Sequence, residues 1–96
     1  MVHKAIQENK VMIFSKSYCP HCKKTKKLFS GMGIKPTVFE IDRHEDGPEV
    51  QSALQSLTGQ RTVPNVFING IHVGGNDDTQ RALSSGELQK LLNGDL

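Results

Sequence analysis

Apolar residues along the chain occur either in short continuous or alternating runs, as in strands, or at every third to fourth position, as in helices. The short runs predict where the strands lie. The apolar run within residues 10–15 is typical of a buried strand, and residues 37–41 alternate as a second strand would. An Asn-Gly pair at 69–70 separates two further apolar runs, 65–68 and 71–73, which is the strongest short-range signal for a β-hairpin. The pattern therefore predicts four strands, the last two of which form a hairpin.

Helical spacing predicts three helices in the first two thirds of the chain. A short helix covers residues 2–9, and a second begins after the first strand and ends at the Gly-Met-Gly sequence 31–33. A third helix covers residues 48–57 and is predicted to be amphipathic, because its apolar residues recur at i, i+3, i+4 and i+7. These residues are Val50, Ala53, Leu54 and Leu57.

Two further helices are predicted after the hairpin. The glycines at 74–75 end the last strand, and residues 76–78 offer side chains that can cap a helix over residues 79–83. Ser84 and Glu87 have the spacing of a capping box for a final helix. That helix carries the apolar residues Leu88, Leu91 and Leu92.

The elements occur in the order α-β-α-β-α-β-β-α-α, and this order predicts the fold. A right-handed crossover makes the first two strands parallel, and the hairpin adds an antiparallel pair. We therefore expect a single α/β domain over residues 1–96, with a four-stranded mixed sheet and helices on both faces. This is the thioredoxin-like architecture.

Charge is distributed unevenly, although the net charge is only +2. Residues 1–36 hold eight lysines and one acid, whereas residues 37–96 hold four basic residues and nine acids. The positive potential of the first part favours an anionic substrate. Nucleic acid is the competing interpretation of the lysines, but one Tyr and no Trp leave little for base stacking, so no nucleic-acid partner is expected. The lysines concerned are Lys23, Lys24, Lys26 and Lys27, of which the last two are also explained as a solvated helix face.

Hydropathy gives no indication of a membrane or a secretory route. No apolar run approaches the roughly 20 residues that a membrane-spanning helix needs. Residues 1–8 lack the apolar segment of a secretory signal peptide. We therefore expect a soluble, cytoplasmic protein without a membrane partner, and a monomer, because no pattern indicates an obligate interface.

The two cysteines, Cys19 and Cys22, form one Cys-x-x-Cys at the junction between the first strand and the second helix. A disulfide that closes so short a loop is a weak structural link, so a redox or metal role explains the pair better. Structural zinc needs four protein ligands, and no histidine has a suitable partner spacing. A redox-active dithiol is therefore predicted, with half a zinc site, an iron–sulfur ligand pair and two simply buried cysteines as alternatives. The histidines are His3, His21, His44 and His72.

The two thiols are expected to differ in role. Cys19 lies at the helix N-terminus, where the backbone amides, the helix dipole and Lys16 favour a thiolate, so it is the predicted nucleophile. Cys22 lies one turn further on, on the apolar face, and is predicted to resolve mixed disulfides. Pro20 suits the first helical turn. A charged His21 would stabilise the thiolate further and make the couple more oxidising, unless it only faces solvent.

Two other segments have the chemistry of a peptide-binding groove. Thr62-Val63-Pro64 precedes a strand, and a cis bond before this proline would free the Val63 backbone to pair with a peptide-like substrate. The alternative is an ordinary proline that starts a strand. In the segment 74–78, two glycines allow close approach, helix amides can bind a carboxylate, and Asp77 or Asp78 can bind an ammonium group. The alternative there is a glycine turn with a capping acid.

Together, Cys19-Pro20-His21-Cys22, Thr62-Val63-Pro64 and Gly74-Gly75-Asn76-Asp77-Asp78 resemble the glutaredoxin family in their order and spacing. The resemblance covers nearly the whole chain and is greatest to the dithiol glutaredoxins of eukaryotes. It implies a glutathione-dependent thiol–disulfide oxidoreductase that reduces glutathione mixed disulfides and protein disulfides. It further implies glutathione as co-substrate, glutathionylated or disulfide-containing proteins as partners, and neither a metal nor a tightly bound cofactor.

The resemblance also implies which residues form the site. A redox-active disulfide would join Cys19 and Cys22, and glutathione would bind with its glycine carboxylate near Lys16 and Gln51. The complete implied glutathione-binding set is Lys16, Cys19, His21, Gln51, Thr62, Val63, Pro64, Gly75, Asn76, Asp77 and Asp78.

The active-site motif departs from the family pattern at His21, where tyrosine is usual. Pro20 argues against an iron–sulfur cluster, because the cluster-binding members have glycine or serine there. Two alternatives remain: a module that holds a cluster or metal between protomers, and a protein-disulfide oxidant, since Cys-Pro-His-Cys resembles periplasmic oxidases.

Overall fold

The computed structural model describes residues 1–94, and its elements follow the predicted order. Residues 1–94 form four strands and five α-helices, together with one short 3-10 helix. Their bounds are α1 Val2–Glu8, β1 Val11–Ser15, α2 Pro20–Gly31, β2 Thr37–Glu40, the 3-10 helix Ile41–Arg43, α3 Gly47–Thr58, β3 Asn65–Ile68, β4 Ile71–Gly74, α4 Asn76–Ser85 and α5 Glu87–Asn93.

The four strands form one mixed sheet in the spatial order β2-β1-β3-β4. β1 and β2 are parallel, with Met12 opposite Thr37, so α2 is the crossover between them. β3 runs antiparallel to both of its neighbours, and Ile13 lies opposite Val66 in the β1–β3 pair. The sheet therefore has the predicted thioredoxin-like topology.

Alternating side chains of β1 divide the core into two layers, one on each face of the sheet. Val11 and Ile13 pack with the helices α2, α4 and α5, whereas Met12 and Phe14 pack with α1 and α3. This alternation follows from the period of two in a strand. Both layers are closed by helices, so the prediction of helices on both faces is confirmed.

The hairpin between β3 and β4 turns at the predicted Asn-Gly pair. Asn69 has φ 49° and Gly70 has φ 81°, which are the two left-handed conformations of a type I′ turn. The Asn69 side chain also donates a hydrogen bond of 2.7 Å to the Leu91 carbonyl. The turn therefore positions α5 against the sheet as well as joining two strands.

The start of α4 differs from the prediction. The helix begins at Asn76 rather than at Thr79, and its N-cap is Gly75, so the prediction that residues 76–78 cap the helix is wrong. The Asp78 carboxylate lies inside the first turn and accepts a hydrogen bond of 3.1 Å from the Gly75 amide. The acid therefore stabilises the helix start from within.

The predicted capping box of α5 is also wrong. Ser84 lies inside α4, and α5 is preceded by Gly86, whose φ of 85° ends one helix and begins the next. The Glu87 amide instead donates a hydrogen bond of 3.3 Å to the hydroxyl of Ser85. A capping box needs an extended residue at the N-cap, whereas this junction uses a left-handed glycine.

The segment around α3 shows two smaller differences. Ile41 leaves β2 and begins the 3-10 helix, which places its buried side chain in the α1–α3 layer. A Cβ at Gly47 would overlap the Ile41 carbonyl oxygen, so only glycine fits at the start of α3. Within α3, Ala53 and Leu57 are exposed, so the buried face is narrower than predicted. None of the helices formed by residues 1–94 has the length and apolar composition needed to cross a membrane.

Candidate active site

Cys19 is the N-cap of α2, directly after the loop that leaves β1. The loop folds back so that the Cys19 amide donates a hydrogen bond of 3.1 Å to the Lys16 carbonyl, and Pro20 then begins the helix. The Cys19 sulfur accepts a hydrogen bond of 3.4 Å from the Cys22 amide. Because the first amides of a helix have no partner within the helix, they are available to a negatively charged sulfur.

The two thiols have different surroundings. Cys19 is partly exposed, whereas Cys22 is completely buried, and both are free thiols in the structure. Burial raises the pKa of the Cys22 thiol, and hydrogen bonds with the Ser15 side chain and the Lys16 backbone oppose this only in part. Cys22 is therefore protonated at neutral pH and shielded from solvent, and Cys19 is the accessible sulfur.

Asp42 holds the loop before Cys19 in place. The Ser17 amide donates to the Asp42 carboxylate at 2.8 Å, and the Ser17 hydroxyl donates to its second oxygen. The hydrogen bond from the Ser17 hydroxyl is the main reason why the pKa of the Asp42 carboxyl lies below its usual range, and the hydrogen bond from the Ser17 amide adds to it. Sequence reasoning did not identify Asp42 as part of the site. A signal existed, since Asp42 follows β2 and parallel strands bring their carboxyl ends to the same edge of a sheet.

The loop before β3 lies beside Cys19, and its Val63–Pro64 peptide bond is cis, as the sequence had suggested. The Val63 carbonyl oxygen lies 4.0 Å from the Cys19 sulfur. The Gln60 side chain donates hydrogen bonds of 3.0 Å to the carbonyls of Thr62 and Pro64. Gln60 thus fixes a loop that the sequence singled out, although no motif indicated Gln60 itself.

Two grooves meet at this loop and share Thr62 and Val63. The groove on the α4 side has a volume of about 360 Å³. Its lining residues are His21, Thr62, Val63, Pro64, Gly75, Asn76, Asp77 and Asp78. The groove on the α3 side has a volume of about 470 Å³. Its lining residues are Lys16, Tyr18, Cys19, Pro20, Gln51, Arg61, Thr62 and Val63.

Every residue predicted to bind glutathione therefore lines one of the two grooves. Cys22, predicted as the second redox thiol, lines neither groove and is completely buried. Sequence reasoning missed Tyr18, which is 66% exposed, and Arg61. Both are direct neighbours in sequence of predicted segments, and this proximity was the only signal available.

The two grooves are lined by side chains of opposite charge. Lys16 and Arg61 line the α3-side groove, whereas Asp77 and Asp78 line the α4-side groove at the start of α4. Asp78 forms an ion pair with Arg81, while Asp77 has no ion pair with any residue in 1–94. A ligand that spans both grooves therefore meets cations at one end and a carboxylate with helix amides at the other.

Two of the predicted contacts are already hydrogen-bonded within the protein. The Asn76 side-chain oxygen lies 2.9 Å from the hydroxyl of the buried Thr25, so this side chain joins α4 to α2. The Gln51 amide group donates a hydrogen bond of 2.8 Å to the Arg61 carbonyl. Both residues therefore shape the grooves through these bonds.

Within residues 1–94, no three or more His, Cys, Asp or Glu side chains gather closely enough to hold a metal ion.

Comparison with known proteins identifies the family. The protein-family model described as Glutaredoxin matches residues 11–73 of the chain. The chain belongs to the glutaredoxin family. Glutaredoxins are glutathione-dependent disulfide oxidoreductases, and the resemblance inferred from the three motifs is confirmed.

Individual glutaredoxins match over most of the chain. Glutaredoxin-C4 of Arabidopsis thaliana is 56% identical over 91 residues, which are 95% of this chain and 67% of that protein. Monothiol glutaredoxin-S6 of Oryza sativa subsp. japonica is 52% identical over 91 residues, covering 95% and 70%. The crystal structure of a buckwheat glutaredoxin–glutathione complex superposes with a TM-score of 0.93 at 41% identity, covering 96% of this chain and 84% of that chain.

Proposed function

We propose that this glutaredoxin reduces mixed disulfides between glutathione and other molecules through Cys19 alone, and that Cys22 is required only for protein disulfides. The observation that carries the proposal is the contrast between the thiols. Cys19 lies partly exposed in the α3-side groove, 4.0 Å from the carbonyl of Val63, which lines both grooves, whereas Cys22 is buried and its pKa is raised.

The charges of the grooves support glutathione as the bound group. Glutathione has a carboxylate at its glycine end and both a carboxylate and an ammonium at its γ-glutamyl end. Lys16 and Arg61 would bind the first carboxylate, the amides at the start of α4 would bind the second, and Asp77 would bind the ammonium. The similar buckwheat structure is a complex with glutathione, which favours the same ligand here.

The reaction proceeds by two thiol–disulfide exchanges. The Cys19 thiolate attacks the glutathione sulfur of a mixed disulfide, the disulfide bond breaks, and the other molecule leaves as a thiolate that takes a proton from water. A second glutathione, as thiolate, then attacks the glutathione sulfur on Cys19. Oxidised glutathione leaves and Cys19 returns as a thiolate, so the mixed disulfide has been exchanged for glutathione disulfide, and the one free glutathione that is oxidised reduces the substrate sulfur to a thiol.

A protein disulfide requires a different second step. Attack by Cys19 leaves the substrate protein covalently bound, and the Cys22 thiol, after losing its proton, displaces the substrate by forming a disulfide with Cys19. Burial and the raised pKa of the Cys22 thiol limit the fraction of thiolate that is available for this step. A close relative that is named a monothiol glutaredoxin supports a mechanism in which one cysteine suffices.

The test compares Cys19→Ser with Cys22→Ser in an assay that couples glutathione oxidation to glutathione reductase. With a glutathionylated substrate, we expect Cys19→Ser to fall to background and Cys22→Ser to retain most of the rate. With a protein disulfide as substrate, both variants should lose activity. If Cys22→Ser loses deglutathionylation as completely as Cys19→Ser does, the monothiol route is wrong and a dithiol route replaces it.

A further inference from the structure

The far halves of α2 and α4 border a groove that lies outside the proposed glutathione site. This α2–α4 groove has a volume of about 480 Å³. Its principal lining residues are Lys24, Lys27, Leu28, Met32, Gln80 and Leu83. Leu28 and Met32 pack against the core and form an apolar floor, while Leu83 is 41% exposed at the rim. A complementary occupant therefore needs an apolar face and negative charge.

The lysines at this rim are not neutralised by the protein. Lys26 forms an ion pair of 2.7 Å with Glu40, but Lys24 and Lys27 have no ion pair within residues 1–94. Lys24 and Lys27 are three residues apart, so they lie on the same helix face and repel each other. An acidic partner would relieve this repulsion between the two lysines. If the helix face were only exposed to solvent, the repulsion would remain.

We propose that the α2–α4 groove binds an acidic, amphipathic helical segment of a protein substrate. Apolar side chains of that segment would lie on Leu28, Met32 and Leu83, and its acids would pair with Lys24 and Lys27. This inference rests on the proposed function, because it supplies the chemistry of the protein that carries the mixed disulfide.

The dimensions of the groove suit such a segment. From Lys24 to Met32 the groove follows α2 for about 12 Å, just over two helical turns, as recognition of a helix in a groove requires. Cys19 caps the same helix, and Lys24 lies about 8 Å further along its axis. A segment bound in the groove would therefore hold a glutathionylated cysteine of the same protein near Cys19.

Other anionic macromolecules fit the groove less well. A nucleic acid strand binds through phosphate contacts and base stacking, but this groove has an apolar floor without an aromatic side chain. A lipid surface is bound by protruding apolar residues, whereas Leu28 and Met32 are partly buried at the bottom of a concavity. These differences favour an acidic protein segment.

The binding test uses Cys19→Ser/Cys22→Ser protein, so that no disulfide can form. The probe is a fluorescent peptide of about 16 residues, with leucines on one helical face and glutamates on the other. We expect Lys24→Glu/Lys27→Glu to weaken its binding about tenfold. The control Lys4→Glu/Lys10→Glu changes the net charge equally at exposed positions outside the groove and should leave affinity within about twofold. Equal weakening by both pairs would mean that net charge alone attracts the peptide, and would overturn the proposal.

Gly31 offers a second test that leaves charge unchanged. Gly31 lines the groove, and a Cβ there would meet no atom within 4 Å, so a longer side chain extends into the groove without a clash. We expect Gly31→Gln to weaken peptide binding about fivefold and Gly31→Ala to leave it unchanged. Both changes favour the helix, so unfolding cannot explain a loss. Equal affinity of the two variants would place the peptide elsewhere and refute the proposal.

Further measurements separate this inference from the proposed function. With the thiols present, Lys24→Glu/Lys27→Glu should keep the kcat of the unmodified protein for a small glutathionylated substrate, because the charge of these lysines acts on association and therefore only on kcat/KM. A protein that fails on the small substrate but still binds the peptide would contradict the proposed function alone. Tighter binding to phosphatidylserine vesicles or oligo-dT than to the peptide, lost in the same double variant, would overturn the docking of a protein segment.

Discussion

At the scale of single residues, three positions of sequence separate an accessible sulfur from a buried one. Cys19 is the half-helical cap residue and is partly exposed, whereas Cys22 lies one turn inside α2 and faces the core with Thr25 and Phe29. Helical geometry alone predicted which thiol would be buried, because Cys22 shares the apolar face of α2. The difference in environment, rather than in residue type, gives the two cysteines their different chemistry.

The raised pKa of Cys22 predicts an unusual pH dependence of its alkylation. In a Cys19→Ser protein, iodoacetamide should modify Cys22 slowly at neutral pH, and the rate should still be rising at a pH where that of an ordinary cysteine has levelled off. Mass spectrometry of samples quenched over time measures the rate. The same protein unfolded in urea supplies the control, and it should level off at the ordinary pKa. If the alkylation rate depended on pH in the same way in the folded and the unfolded protein and differed only in size, burial would restrict the access of iodoacetamide without changing the pKa of Cys22.

Asp42 makes stability depend on acid pH. Its pKa is lowered in the folded state, so its hydrogen bonds to Ser17 stabilise the fold fully above the ordinary Asp pKa of about 3.9 and are lost as pH falls below it. In Asp42→Asn this part of the acid destabilisation should be absent. Urea unfolding between about pH 5 and pH 2.5 measures it, with Glu45→Gln as a charge-matched control at an exposed position. If the free energy of unfolding fell equally steeply with pH in the wild-type protein and in Asp42→Asn, the Asp42 carboxylate would not hold the loop.

At the scale of elements, the site depends on how α2 and α4 are joined. Both helices begin at the site, and the Thr25 hydroxyl lies 2.9 Å from the Asn76 side-chain oxygen between them. Thr25 is completely buried, so this contact is shielded from competing water. It sets the position of the α4 amides relative to Cys19, and thus the relation between the two ends of the proposed glutathione site.

Removal of this contact should affect substrate binding as well as stability. Thr25→Val keeps the shape of the side chain but leaves the Asn76 oxygen with only the longer hydrogen bond of 3.4 Å from Gln80, so we expect a loss of about 1–2 kcal/mol in the free energy of unfolding. We also expect a higher KM for a glutathionylated substrate, with little change in kcat.

Thr79→Val is the matched control for Thr25→Val. The buried Thr79 donates to the Gly75 carbonyl within α4 at 2.8 Å, so its hydroxyl does not join two helices. Urea unfolding and steady-state kinetics on both variants give the comparison. Equal changes in KM for both would show that buried hydroxyls contribute only to general stability.

The same scale shows how far sequence reasoning reached. Periodicity and the Asn69-Gly70 pair found every strand and α-helix within residues 1–94, but not the 3-10 helix, because these signals depend on local geometry that tertiary contacts do not override. The helix starts after the hairpin were misplaced, because Asn76 and Ser84 are good capping residues but glycines at 75 and 86 supply the caps. Sequence also located the grooves through short motifs. The residues that hold their loops, such as Asp42, act across long sequence separations and carry no motif.

At the scale of the whole molecule, the uneven charge distribution should influence how fast substrates arrive. Residues 1–36 supply α1, β1 and α2 and carry eight lysines, and Cys19 lies among them. The largest extent of the molecule is 35 Å, several times the distance of about 10 Å over which charges are screened at 0.1 M salt. Glutathionylated substrates have a net negative charge on the glutathione group, so they approach a positive region whose influence depends on salt.

This field predicts that kcat/KM for a small glutathionylated substrate falls about two- to fivefold between low salt and about 0.2 M salt. The fall should appear in kcat/KM rather than in kcat, because steering acts on association. A substrate whose glycine carboxylate is esterified is the control: with that negative charge removed, its rate should depend much less on salt. Lys16→Gln should flatten the dependence of the unmodified substrate in the same way, since Lys16 lines the groove assigned to that carboxylate. Identical salt profiles for the acid and the ester would mean that the lysines of α2 do not steer glutathione, and would leave substrate binding to the contacts within the grooves alone.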